Sequence, residues 1–213
     1  AVDREYRVMT ALSTTGVPVP RTWGFCEDRS LVGTPFLVMA FVEGRQFFDP
    51  ALPDLARDAR TALWDDVGAV LARLHTVDYA AIGLGDYGRP GNYFARQVDR
   101  WTRQYRAAET EPIAAMDRLI EWLPKHVIDS DETTIVHGDF RLDNLILAPE
   151  TAEVRAVLDW ELSTLGDPMA DFSYLLIAWA IPASLRNGLA GADLQALGIP
   201  SVEETVDRYA AAT

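Results

Sequence analysis

The sequence predicts an α+β fold in which helices outweigh strands. Three observations carry that expectation. Short apolar runs of strand length stand at residues 21–27 and 35–42, and apolar residues at helical spacing fill much of 55–127. A strand, a polar loop and a second strand then follow over Ile135–Leu147, and a further short strand, Val157–Leu158, ends on Asp159.

At 213 residues the chain suits one domain or two small lobes, enough to bury roughly 70% of the unfolded surface. Its net charge of −13, from 32 acidic and 19 basic residues, opposes nucleic-acid phosphates and anionic lipid headgroups, so neither is expected as a partner. The single cysteine, Cys26, excludes an internal disulfide or a Cys-built metal cluster and suits a reducing, cytoplasmic compartment. Cys26 itself reads as a small buried residue on a strand. The longest apolar runs, 36–42 and 174–181, are shorter than the ~20 residues that span a bilayer. No signal peptide is legible, and the chain opens on helical sequence without a Met, as if inside a fold.

The elements follow in order. Val2, Tyr6, Met9 and Leu12 recur at helical spacing until Gly16 and Pro18 stop the helix. Arg21–Glu27 and Pro35–Val42 read as an antiparallel hairpin with one buried face, joined by a polar turn around Asp28, Arg29, Ser30 and Gly33. A long helix from about Leu55 to Val77 carries the stripe Leu63, Val67, Val70, Leu71 and Leu74, with His75 packed near its end. Gly83, Gly85 and Gly88 match G-x-G-x-x-G by letter. A helix precedes them and Arg89-Pro90 follows, so they mark a turn between helices and not a dinucleotide site.

The next helix, about Asn92 to Ala108, puts Arg96, Arg100, Arg103 and Arg106 on one face. Such a face either pairs with neighbouring acids or attracts an anionic acceptor. A helix from about Pro112 to Val127 is expected to bury Met116, Leu119, Ile120 and Leu123, with a structural His126 at its end. After the last strand, Asp167-Pro168 starts a helix whose stretch Tyr174–Ile181 is expected to be the most buried of all. Ser201 and Glu204 form a capping box ahead of Val202, Val206 and Tyr209, and the chain stops at Thr213 without a closing turn.

The chemistry concentrates at Asp139, Asn144 and Asp159. An acid, an Asn five residues on, and a second acid at a strand end are what magnesium-dependent phosphoryl transfer requires. One carboxylate, Asp139, orients and deprotonates an acceptor hydroxyl. Asn144 and Asp159 offer hard oxygens to magnesium bound on nucleotide phosphates. Glu161 is a further candidate at the metal, and Asp143 a brace of the loop.

These residues carry a resemblance. His137-Gly-Asp-Phe-Arg-Leu-Asp-Asn144 with Leu158-Asp-Trp-Glu161 is similar to the catalytic core of the aminoglycoside phosphotransferase and choline kinase superfamily, which has a protein-kinase-like fold. Gly166–Leu175, Gly83–Asn92 and Asp3–Met9 extend the match, most closely to the kinase-like domain related to acyl-CoA dehydrogenase family members. The resemblance implies a bilobal fold: residues 1–42 as the remnant of a small N-terminal lobe, and 43–213 as a mostly helical large lobe. The glycine-rich strand turn and phosphate-binding Lys of the family pattern are absent from the chain.

It further implies that Glu5 lies on the lobe-bridging helix, and that backbone groups of a hinge over Met39, Phe41 and Val42 contact adenine. His137 supports the catalytic loop by hydrogen bonding, Arg141 balances its charge, and Asp171 anchors it from below. The implied activity is transfer of the ATP γ-phosphoryl group to a small-molecule hydroxyl, with a hydroxyacyl-CoA or hydroxy acid as acceptor. An aminoglycoside or other cationic alcohol is the alternative. A non-catalytic nucleotide- or partner-binding module, with a fused or partner domain, is the reading from another class. A metal-dependent hydrolase using Asp139, Asp159 and His137 is disfavoured by the Asn144 spacing.

Overall fold

The computed structural model describes residues 2–149 and 151–213; Ala1, from which the sequence reading starts, and Glu150 lie outside them. Helix α1, Val2–Leu12, buries Val8, Met9 and Leu12, with Val2 and Tyr6 half-buried. Strands β1 (Thr22–Cys26) and β2 (Phe36–Met39) pair antiparallel, Cys26 opposite Phe36. The expected polar turn between them is a one-turn helix, α2 (Arg29–Val32). Asp28 caps it by accepting the Ser30 N–H at 2.8 Å, and Gly33 closes it at φ +88° by donating to the Arg29 carbonyl.

The hairpin has no fully buried face, contrary to expectation. Trp23 is 59% exposed, and Phe25 is half-buried where it stacks on Tyr6, ring centroids 5.9 Å apart. Among the described residues β1 and β2 form a two-stranded sheet that leans on α1, and no residue of either strand is fully buried. Cys26 is accordingly only half-buried.

The core is built on α3, Arg57–His75. Leu63, Val67, Val70, Leu71 and Leu74, repeating every three to four residues, are fully buried. Against it pack two further antiparallel pairs: β3 (Thr134–Val136) with β6 (Thr164–Gly166), and β4 (Leu145–Leu147) with β5 (Val154–Val157). The two strands flanking the polar loop therefore belong to different sheets, and β6 was not anticipated.

Helices α4 (Tyr93–Ala108) and α5 (Ala114–Trp122, continued by a 3-10 turn over Leu123–Lys125) bury none of their residues. The expected buried stripe of α5 is thus corrected: Leu119 is 43% exposed, and Met116, Ile120 and Leu123 are half-buried. Pro124 ends the α-helix early, and the α4–α5 unit stands off the core, joined by the Arg106–Asp117 ion pair at 2.6 Å.

Helix α6, Met169–Ala180, is not the most buried; α3 is. Phe172, Leu175 and Trp179 face the core, while Tyr174 and Ile177 open onto a cleft. Asp167 accepts the Met169 N–H at 2.9 Å at its start. After the short α7 (Leu194–Leu197), helix α8 (Val202–Ala212) docks on α3. Its buried face is Thr205 and Tyr209, one turn apart; Val202 and Val206 are exposed.

The Ser201–Glu204 capping box is complete in both directions, at 3.1 and 2.8 Å. Ser201→Ala is expected to cost about 1 kcal/mol and to lower the thermal midpoint by about 2–4 °C, read by circular dichroism.

Candidate active site

The end of β3 feeds a loop whose backbone is fixed from beneath. The N–H groups of His137 and Gly138 both donate to the buried Asp171 carboxylate, Gly138 at 2.8 Å. Gly138 is required here. Its φ is +87°, and a Cβ would come within 2.9 Å of Leu162. His137 is fully buried. Its Nε2 donates to the Leu158 carbonyl at 2.8 Å, and Nδ1 accepts the Asp139 N–H at 3.2 Å. Burial pushes its pKa down, so the ring is a neutral strut with both nitrogens engaged.

Asp139 follows, half-buried. The Asn144 amide donates to its carboxylate at 3.0 Å and to its carbonyl at 2.9 Å. Asn144 closes a 3-10 turn (Leu142–Asn144) just before β4, and its carbonyl accepts the Leu158 N–H at 2.8 Å, prolonging the β4–β5 ladder by one rung. That rung sets Asp159 next to Asn144 at the open end of the pair. Asp159 is exposed and left-handed, φ +63° and ψ +58°, a conformation Asp accepts more readily than most residues. Trp160, fully buried behind it, donates to the Val157 carbonyl at 2.9 Å and packs on the His137 ring at 4.6 Å.

Helix α1 brings Glu5 to the same end. Burial first, and then the carboxylates of Asp159 and Glu161, push the Glu5 carboxyl upward. Arg4 fastens this helix by donating to the carbonyls of Tyr87 at 2.9 Å and Ser163 at 3.1 Å.

The phosphotransferase enzyme family model matches residues 1–210 of the chain. The chain belongs to this family. Acyl-CoA dehydrogenase family member 10 from Mus musculus is 52% identical over 211 residues, which cover 98% of the chain and 20% of that protein. A crystal structure from Ralstonia eutropha, provisionally named an aminoglycoside phosphotransferase, superposes with a TM-score of 0.94 at 53% identity, covering 100% of the chain and 65% of its own. The aminoglycoside phosphotransferase APH(3'')-Id from Streptomyces rimosus, in complex with ADP and streptomycin, shares the fold at a TM-score of 0.64 and 21% identity, over 97% of the chain and 74% of its own. The fold is thus the kinase-like α+β fold of phosphotransferases. The chain spans about a fifth of the mouse relative's length and about two thirds of the Ralstonia protein's.

In this phosphotransferase-family chain the expected site residues fall into three groups. Asp139, Asn144 and His137 are joined by direct hydrogen bonds, and Asp159 joins them through the Leu158 rung. Arg141 donates to both oxygens of Asp143. Met39, Phe41 and Val42 stand at the end of β2, Phe41 91% exposed. Their segment is tied to β4 by the two 2.8 Å backbone bonds between Arg45 and Leu147. A Cβ on Gly44 would meet the Leu147 carbonyl at 2.4 Å, so only glycine lets the segment approach. The arginines of α4 are mostly engaged locally: Arg96 with the Arg89 carbonyl at 2.6 Å, Arg103 with Asp99 at 2.7 Å, and Arg106 with Glu109 and Asp117.

One neighbour of Asp139 was missed. The Tyr174 hydroxyl lies beside Asp139 and Arg141; burial first, then the bond to Asp139, push its pKa up. It lines a cleft of about 120 Å³ walled by Phe48, Pro50, Ile177, Ala178 and Ile181, with Arg141 and Asn187 among its polar groups. Its signal was present: Asp171 and Tyr174 are three apart, hence neighbours on one helix face.

Proposed function

We infer that the chain transfers the γ-phosphoryl group of ATP to a hydroxyl of a small molecule, with magnesium. The observation that supports this is the division of labour at Asn144. Its amide nitrogen holds the Asp139 carboxylate at 3.0 Å, which leaves the amide oxygen at the same strand end as Asp159. Magnesium suits such a sparse oxygen set, since it is held by one or two carboxylates together with substrate phosphates. Asn144 and Asp159 would hold the ion, which when bound neutralises charge on the transferring phosphates.

Asp139 accepts the proton of the acceptor hydroxyl at its carboxylate, which the Asn144 amide holds, while the neutral His137 strut holds the Asp139 backbone N–H. Glu5 stands at the nucleotide side of the site. Backbone groups over Met39, Phe41 and Val42 form the hinge against adenine, with residues 1–42 as the small lobe and 43–213 as the large one. The APH(3'')-Id neighbour is in complex with ADP, which supports a nucleotide as co-substrate here.

For the acceptor, the apolar walls of the cleft beside Tyr174, in which Arg141 and Asp143 pair with each other, favour a hydroxy acid or hydroxyacyl thioester over a polycation. The mouse relative's name mentions acyl-CoA, which supports this reading. An aminoglycoside is the second reading, favoured by the charge of −13 through steering and by the streptomycin of the neighbour. We place the chain in the cytoplasm on its single cysteine, Cys26; no described helix is long and apolar enough to cross a membrane.

Calorimetric titration with ATP tests the assignment. Binding is expected to require magnesium and to weaken at least tenfold in Asp159→Ala. Binding indifferent to both magnesium and the substitution would sink it.

A further inference from the structure

Three buried side chains on three helices connect α8 to the catalytic loop. Tyr209 on α8 and His75 on α3 are each 6% exposed, and Asp171 on α6 is 1% exposed. The Tyr209 hydroxyl lies 2.6 Å from His75 Nδ1. His75 Nε2 lies 3.5 Å from Asp171 Oδ2, the longest link. The same carboxylate receives the backbone N–H groups of His137 and Gly138.

Donor and acceptor roles follow from the partners. A carboxylate is an acceptor only, so the imidazole nitrogen facing it carries a proton, and Nδ1, which faces the phenol O–H, accepts. The Tyr209 O–H donates to it. Burial, and next the Asp171 carboxylate, push the phenol's pKa upward, which keeps that proton on Tyr209. The Tyr209 ring is itself held, stacked on Phe172 at 4.0 Å and edge-on to His75 at 5.9 Å. The segment leading into α8 is seated by the Trp179 indole, which donates to the Pro200 carbonyl at 2.8 Å.

We propose that Tyr209 and His75 are positioning residues of the catalytic loop, α8 setting the Asp171 carboxylate through His75 and thereby the backbone that presents Asp139. The point of greatest effect is Gly138, whose backbone is the least restrained by its own side chain and depends on Asp171 for its N–H partner. Without the Tyr209 hydroxyl, His75 Nδ1 loses its buried donor, and the ring can turn or change tautomer. Asp171 then loses its third partner. The catalytic meaning of this relay rests on the reading of Asp139 as the base; the relay itself does not.

The test needs no turnover, so the two readings fail separately. Tyr209→Phe keeps the ring and its stack on Phe172 and removes only the hydroxyl. Nitrogen-15 NMR of the unmodified chain is expected to show His75 with its proton on Nε2, and Nδ1 accepting a hydrogen bond. In Tyr209→Phe, amide exchange at His137 and Gly138 is expected to quicken about tenfold while core amides of α3 hold their rates. His75→Gln, which retains an N–H for Asp171, should keep exchange at both amides slow, and His75→Leu should not. A proton on Nδ1, unchanged exchange at His137 and Gly138 in Tyr209→Phe, or an increase spread evenly over the chain would each overturn the proposal.

Discussion

Asp139→Asn is expected to lower the rate of phosphoryl transfer about 10²- to 10⁴-fold, the usual contribution of a general base, with little loss of fold stability. The isosteric amide keeps an oxygen for the Asn144 N–H, which now bonds the Asp139 carboxylate at 3.0 Å, so the loop retains its shape. His137, Gly138 and Asp171 are untouched, because they meet the backbone and not the Asp139 side chain. What disappears is the proton acceptor beside Tyr174. Magnesium-dependent ATP binding should therefore persist while single-turnover transfer collapses. If transfer rates proved equal in the two proteins, Asp139 would be a structural acid only.

The largest effect on stability is expected at Trp160. Its side chain is fully buried between the His137 ring and the β5 end, and Trp160→Ala should cost about 3–5 kcal/mol. In a chain of this length that corresponds to a fall of the thermal midpoint on the order of 10 °C, measured by calorimetry. Trp160→Phe should cost less, losing the indole N–H to the Val157 carbonyl but filling most of the space. The Ala variant should also blunt magnesium-dependent ATP binding, because Asp159 takes its left-handed turn directly before this residue.

Much of this was legible in sequence where a local pattern carries the structure. The α3 stripe from Leu63 to Leu74 repeats at the helical period and is the core. Asp139, Asn144 and Asp159 lie near one another because a 3-10 turn and one strand pair suffice to bring them together. Asp171 was placed as the anchor of the loop on the resemblance, and the structure puts its carboxylate on the His137 and Gly138 amides.

Tertiary facts were not legible. Thr164-Leu165-Gly166 has no strand signature of its own and becomes β6 only because β3 lies beside it. The apolar residues of α5 and α8 have the right period, but period does not say which neighbours arrive. Leu119, Val202 and Val206 stay exposed because the packing partners sit on other sides of their helices. The one-turn helix α2 was hidden because its signals, a capping Asp28 and a closing Gly33, are also those of a turn.

The β1–β2 hairpin has a consequence for how the chain behaves in time. It is a two-stranded sheet without a buried residue, leaning on α1 through the Tyr6–Phe25 stack. A pair of this kind is marginal by itself, so its opening free energy should lie well below that of the α3 core. The hairpin is then the part that breathes first, and a protease at low dose would cut between Cys26 and Phe36 while the helices around α3 remain whole.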